Sequence, residues 1–115
     1  MLMNLAEIAE KLQLKVRSGQ DHLDVDVRRG YASDLMSDVL ANADAGDLWI
    51  TLQIHQNIVA VSVMKSLAGV ILVNNREPME DTLEKAKAEG MPVMVSDLPA
   101  FELIGRLHKL GISGT

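Results

Sequence analysis

Apolar residues recur along this chain with two different periods, and the places where the period changes divide it into elements. Near the start, Leu5, Ile8, Ala9 and Leu12 are spaced i, i+3, i+4 and i+7, one stripe of a short helix, with Asn4 placed to cap it. Leu14 to Val16 reads as a short strand and Ser18-Gly19-Gln20-Asp21 as a turn. Leu23, Val25 and Val27 then alternate with Asp24, Asp26 and Arg28, the period-2 pattern of a strand with one wet face, which predicts a place toward a sheet edge. Ser33 or Asp34 is expected to cap a helix carrying Leu35, Met36, Val39, Leu40 and Ala43, ended by Gly46.

From Asp47 to Val73 the text reads strand, polar loop, buried helix, strand. Leu48 to Leu52 is mostly apolar and suits a central strand. The segment Asn57 to Ala68 is contested: Ile58, Val59, Val61 and Val63 favour a strand by propensity, yet its length fits a crossover helix with Ser62, Lys65 and Ser66 on one side. Helix is the expectation. Val70 to Val73 is a fully apolar strand. A helix opening near Pro78 follows, with Glu80 and Asp81 first, Lys85 and Lys87 later and Gly90 as terminator; Asp81 and Lys85 form an i,i+4 pair, and Met79, Leu83 and Ala86 are its core stripe. Pro92 to Val95 is the last strand. Ser96-Asp97 is expected to cap a final helix from Leu98 to Leu110, with Leu103, Ile104, Leu107 and Leu110 inward and Gly111 stopping it. The β-α-β-α-β-α rhythm predicts right-handed crossovers and a three-layer α/β/α fold with a mainly parallel central sheet.

Composition narrows this picture. With 115 residues there is room for one domain, residues 1–115, and one sizeable core. Apolar residues make up 48%, more than one core easily hides, so the surplus predicts a self-association face and a homodimer. Seven Met against single Phe, Tyr and Trp residues indicate an adaptable aliphatic core. A net charge of −5 and no Lys/Arg cluster beyond Arg28-Arg29 argue against nucleic acid. The absence of Cys excludes disulfides and thiolate chemistry. No signal-peptide pattern opens the chain and no apolar stretch of about 18 residues is present, so the expectation is a cytoplasmic protein with no membrane partner.

Candidate chemistry concentrates at the presumed carboxyl edge of the sheet, where small ligands bind in open α/β folds. The residues expected there are Ser33, Asp34, Thr51, Gln53, His55, Gln56, Asn57 and Asn74. There is no GxGxxG after a strand and no GxxxxGK[ST], so no dinucleotide fingerprint or phosphate loop. The three histidines, His22, His55 and His108, are scattered, and His55 alone falls at the ligand edge; no catalytic residue, metal site or cofactor is assigned. Asp34, Asp38 and Asp47 are better explained by solvent-face and strand-start placement than as an acid/base pair. These residues supply an address without a reaction.

The stretches GYASDLMSDVLANADAGDLWIT and HQNIVAVSVMKSLAGVILVNNREPMEDTLEKAKAEGMPVMVSD resemble the DRTGG-domain family over nearly the whole chain, most specifically at Gly30-Tyr31-Ala32-Ser33-Asp34-Leu35 and His55-Gln56-Asn57-Ile58. Related domains occur in the N-terminal part of HPr kinase/phosphorylase, in long phosphotransacetylases and between the CBS modules of some pyrophosphatases. The resemblance implies an HPr kinase N-terminal-domain-like fold and a regulatory or assembly role, with catalysis elsewhere. Stand-alone members are met beside iron-only hydrogenase proteins, which implies an accessory role and a protein partner in a hydrogenase or metabolic complex. The chain departs from the family at its signature: where Asp-Arg-Thr-Gly-Gly should follow the LWITL strand, it has Gln53-Ile54-His55-Gln56-Asn57. The expected function is therefore a non-enzymatic regulatory or adaptor domain binding a small metabolite or nucleotide. The alternative is a small enzyme or phosphoryl-handling module using His55 as base or phospho-acceptor.

Overall fold

The fold follows from three strands whose side chains are all buried: β3 (Leu48–Thr51), β4 (Gly69–Leu72) and β5 (Val93–Val95). The structure, a computed structural model, describes residues 2–115. A strand buried on both faces needs a cover on each, and the alternation of side chains supplies it. Leu48, Ile50, Ile71 and Met94 join one core with α1 (Leu5–Lys11) and α5 (Ala100–Lys109). Trp49, Val70, Leu72 and Val93 join a second core with α2 (Met36–Asn42), α3 (Asn57–Met64) and α4 (Glu80–Glu89). Three layers result, as expected.

The sheet has five strands in the order β1-β5-β4-β3-β2, with β1 (Lys15–Ser18) antiparallel to β5 and β2 (Gly30–Ala32) through β5 mutually parallel. Successive strands from β2 to β5 are neighbours, so their crossover helices α2, α3 and α4 all fall on the same face. After β5 the chain returns across the other face as α5, and its end reaches the far edge, where Gly30 N donates to Ser113 O at 2.9 Å.

Several expectations need correction. Leu23 to Arg28 is not a strand of the sheet: Leu23 and Asp24 form a turn, and only Val25 to Arg28 runs on from it, outside the ladder. Its backbone groups are taken by the segment before and within the first helical turn: Leu5 N donates to Val25 O, Ala6 N to Leu23 O and Val27 N to Met3 O, with a single bridge between Asn4 and Asp26. Period-2 alternation marks any extended segment with one packed side; it does not choose the partner. Val27 is buried and Val25 is exposed as a result. The edge strand is instead the short Gly30–Ala32.

Asn4 does cap α1, in a reciprocal box with Glu7. Asn57 onward is helical, and Ile58, Val59 and Val61 are buried in the second core while Val63 is exposed. Ser62, expected on the wet side with Lys65 and Ser66, is fully buried because α3 packs between α2 and α4, and its hydroxyl has no partner. In α4 the buried residues are Thr82 and Ala86, while Met79 is 40% exposed. The Asp81–Lys85 pair is not formed; Asp81 Oδ1 accepts from Thr82 N instead. The last helix begins at Ala100, after Pro99, and the Ser96 hydroxyl accepts from Leu98 N in the turn before it.

Two glycines test this packing in opposite directions. Gly19 has φ +72°, and a Cβ there would lie 2.5 Å from Pro92 N, so Gly19→Ala should lower stability by about 2 kcal/mol or more. Gly105 sits in α5 with nothing within 4 Å of an added Cβ, so Gly105→Ala should raise stability by about 0.5–1 kcal/mol. Urea midpoints at constant m measure both.

Candidate functional site

The loops leaving β2, β3 and β4 all turn toward the α2–α4 layer, because their crossover helices lie there. On the opposite face the carboxyl ends of the strands are flanked by the start of α5. A cavity of about 200 Å³ opens here, lined by Ser33, Asp34, Ile50, Thr51, Val73 and Ala100 among others.

Asp34 organises one wall. Its Oδ1 accepts from the Thr51 hydroxyl and from Leu52 N, both at 2.8 Å. Gln53 returns the link, its side-chain amide donating to Asp34 O at 3.1 Å and its backbone N–H to the Thr51 hydroxyl. Trp49, buried within β3, donates its indole N–H to Ser33 O at 2.7 Å. Neither Ser33 nor Asp34 caps α2 in the expected way. The cap position is Leu35, the Ser33 hydroxyl accepts from Leu35 N, and the Asp34 carboxylate satisfies the orphan amide at the end of a neighbouring strand. Asp34 Oδ2 has no partner among the described residues and stays available beside the cavity.

Asp34, Thr51 and Gln53 are thus brought together by direct hydrogen bonds, and Ser33 stands beside them, bonded to Leu35, Trp49 and Ile50 instead. His55, Gln56 and Asn57 are exposed at the start of α3, and among the described residues their side chains make no hydrogen bond. Their loop is held from the other side, where Ile54 O accepts from Met79 N and from the Thr82 hydroxyl at 2.7 Å. Asn74 is exposed, in the left-handed region together with Asn75 (φ +58° and +56°). Asn74 N donates to Leu98 O, and Asn75 Oδ1 accepts from Lys15 Nζ at 2.7 Å, so this loop is tied to β1 and to the turn after β5.

The three aspartates weighed as a group do not meet. Asp38 accepts from the Tyr31 hydroxyl at 2.8 Å and from the Asn42 amide. That hydroxyl holds the Asp38 carboxyl below its ordinary pKa, and the same bond pushes Tyr31 above its ordinary value. Asp47 is fully buried at the amino end of β3, where its Oδ2 accepts from Arg29 Nε at 2.9 Å and from Asp44 N at 2.7 Å. Arg29 is raised by the hydrogen bond to Asp47. Among the described residues no group of three His, Asp or Glu side chains could hold a metal ion, and no helix is long and apolar enough to cross a membrane.

A second cavity, of about 260 Å³, adjoins the first at Ala32 and Ile50 and runs along the α5 side of the β2 edge to Ile104, Leu107 and Ile112. Sequence reasoning missed it because its walls come from segments far apart in the chain: β2, Ile50 of β3, α5 and the residues after α5. Gly30 and Ala32, two small residues at i and i+2, were the available signal.

No protein-family model and no curated protein matches the chain. Among solved structures, the chain is similar to the CBS and DRTGG domains of the regulatory region of Clostridium perfringens pyrophosphatase, complexed with its activator diadenosine tetraphosphate. The TM-score is 0.71 at 14% identity, over 89% of this chain. This chain spans 44% of that one. At such identity the likeness establishes a shared α/β fold.

Tyr31 is the chain's sole tyrosine, so its ionisation can be followed directly by absorbance. Its midpoint should lie above the ordinary 10.0, and Asp38→Ala should bring it back toward that value. Because the folded Tyr31 pKa is the higher one and the folded Asp38 pKa the lower one, the pair's contribution to stability is complete between the ordinary carboxyl range and the ordinary tyrosine value, and is lost as pH rises through the folded Tyr31 pKa or falls through the folded Asp38 pKa.

Proposed function

We infer that the chain is a non-catalytic regulatory or adaptor domain, homodimeric, that binds a small metabolite or nucleotide at the carboxyl ends of β2 and β3. The observation that carries this reading is the Asp34–Thr51–Gln53 network beside a preformed cavity, with one carboxylate oxygen left unpaired. Convergent polar groups at the carboxyl edge of an α/β sheet suit ligand capture. The similar pyrophosphatase region is regulatory and binds a nucleotide activator, which supports the same class of role for this fold.

Catalysis has less support. A general base is oriented by a neighbour in a working site, and His55 is exposed without such a partner among the described residues. The outer positions His55, Gln56, Asn57 and Asn74 do not line the cavity and would meet only a ligand that extends beyond it. Self-association is supported by exposed apolar side chains: Leu35, Met64 and Phe101 are 64%, 71% and 92% accessible. The accessory role beside iron-only hydrogenases rests on sequence resemblance alone and is not part of this reading.

A thermal-shift panel of nucleosides, nucleotides and dinucleoside polyphosphates should contain a compound that raises Tm by several degrees at saturating concentration. The same compound should alter the emission of Trp49, the sole tryptophan, through its bond to Ser33. Asp34→Ala should weaken binding at least about tenfold, while His55→Ala leaves it within about twofold. A panel with no active compound overturns ligand capture, and a monomer in sedimentation at micromolar concentration overturns the dimer.

A further inference from the structure

The edge strand β2 is paired on one side only. Leu48 N donates to Arg29 O and Ser33 N donates to Ile50 O, so residues 29, 31 and 33 face β3 and the backbone groups of Gly30 and Ala32 point away from it. The residues after α5 occupy the neighbouring position at Gly30, whose N–H is taken by Ser113 O. At Ala32 that position is open: neither its N–H nor its C=O has a partner outside the β2–β3 ladder among the described residues. An exposed edge presents a donor and an acceptor side by side, ready for whatever lies alongside.

What lies alongside is the 260 Å³ cavity, which includes Gly30, Ala32, Ile50, Ile104, Leu107 and Ile112 in its walls. Its lining side chains are mostly aliphatic. Gly30 is informative because nothing in its backbone requires glycine: its φ is not positive, and an added Cβ would make only ordinary contacts at 3.6 Å with Ile112 and Ile50. Glycine inside a strand weakens it and recurs where a ligand or another backbone must come close. A Cβ at Gly30 would point at the same side chains that line the cavity, so its absence is what leaves the cavity room.

We propose that this edge cavity is a binding site for an adenine ring, which lies in the apolar trough and pairs its ring-nitrogen acceptor and 6-amino donor with the N–H and C=O of Ala32. The chemistry selects this class. A flat uncharged heterocycle fits the apolar walls, and the cavity is smaller than the ~300–1,000 Å³ that drug-sized ligands occupy, matching one ring system. The backbone pair asks for an acceptor and an N–H donor on adjacent positions, which 6-aminopurines carry. Asp34 borders the adjoining cavity, no Lys or Arg lines either one and His108 is the single basic side chain in the walls, so the base rather than a phosphate is the part of the ligand this site selects and the nucleoside is sufficient. The proposal rests on the ligand-binding reading above and gives it a base-recognition subsite.

The experiment is titration of the ¹⁵N-labelled protein with adenosine, inosine and N6,N6-dimethyladenosine. Adenosine should shift the amides of Gly30 to Ala32 and of Gly111 to Gly114. Inosine, which carries N1–H and a 6-oxo group in place of acceptor and amine, and the dimethyl compound, which has no N–H to give, should each bind at least about tenfold more weakly. Ala32→Pro removes the N–H at an outward-facing edge position that tolerates proline and should weaken adenosine by a similar factor. If that variant does not fold, the three ligands on the native protein still decide the matter. Equal binding of adenosine and inosine, or no shift at Gly30 to Ala32 with millimolar adenosine, overturns the proposal. Shifts confined to Asp34, Thr51 and Gln53 overturn it too but leave the ligand-binding reading standing; a silent spectrum with every compound of the panel removes both.

Discussion

Burial of β3, β4 and β5 on both faces is the constraint from which the rest of this structure follows. A strand packed between two helical layers cannot place a polar group on either face without stranding it from water. Polar chemistry is thereby confined to strand ends and sheet edges. The buried polar residues of the sheet respect this: Asp47 stands at an amino end with Arg29, Thr51 at a carboxyl end with Asp34, and Ser18 on the edge strand β1, where its hydroxyl donates to Met91 O and accepts from Val93 N. Each joins an element boundary to its neighbour.

The two ends of the sheet use carboxylates differently. At the amino end, Asp47 is enclosed and compensated by a guanidinium, an arrangement that fixes the β2–α2–β3 crossover and offers nothing to solvent. At the carboxyl end, Asp34 spends one oxygen on the backbone and side chain of β3 and keeps the other free. The edges differ as well. β1 is short, bulged between Val16 and Ser18 and carries charged side chains, with Arg17 paired to Glu77 and Lys15 to Asp97. β2 carries Gly30 and Ala32 toward the α5 side and is covered only at its start.

Much of this was legible in the text. The apolar runs at 48–52, 70–73 and 92–95 marked the central strands because double-sided burial leaves no polar position inside them. Asn4 with Glu7 marked a helix start, since that pair serves the amides of the same turn. The helix at 57–64 was legible through its length against strand propensity. What failed were inferences about the particular partner a residue finds in space. Leu23 to Arg28 has the alternation of a strand, but its hydrogen bonds went to residues 3–6. Ser62 looks polar and wet on a helical wheel, yet two flanking helices cover it. Asp34 looks like a cap and instead serves the next strand.

The sequence by itself determined the order of the elements, the layered α/β architecture and the crowding of polar residues around 33–34 and 51–57, because periodicity and end signals are local properties of the chain. Only the tertiary structure decided which of those polar residues meet. Asp34, Thr51 and Gln53 share hydrogen bonds because parallel pairing sets β2 beside β3, whereas His55 and Asn57 turn outward because Ile54 is anchored on α4. The edge cavity is decided wholly in space. Its walls come from residues 30–32, 50 and 104–114, and only the return of α5 across the sheet brings them together.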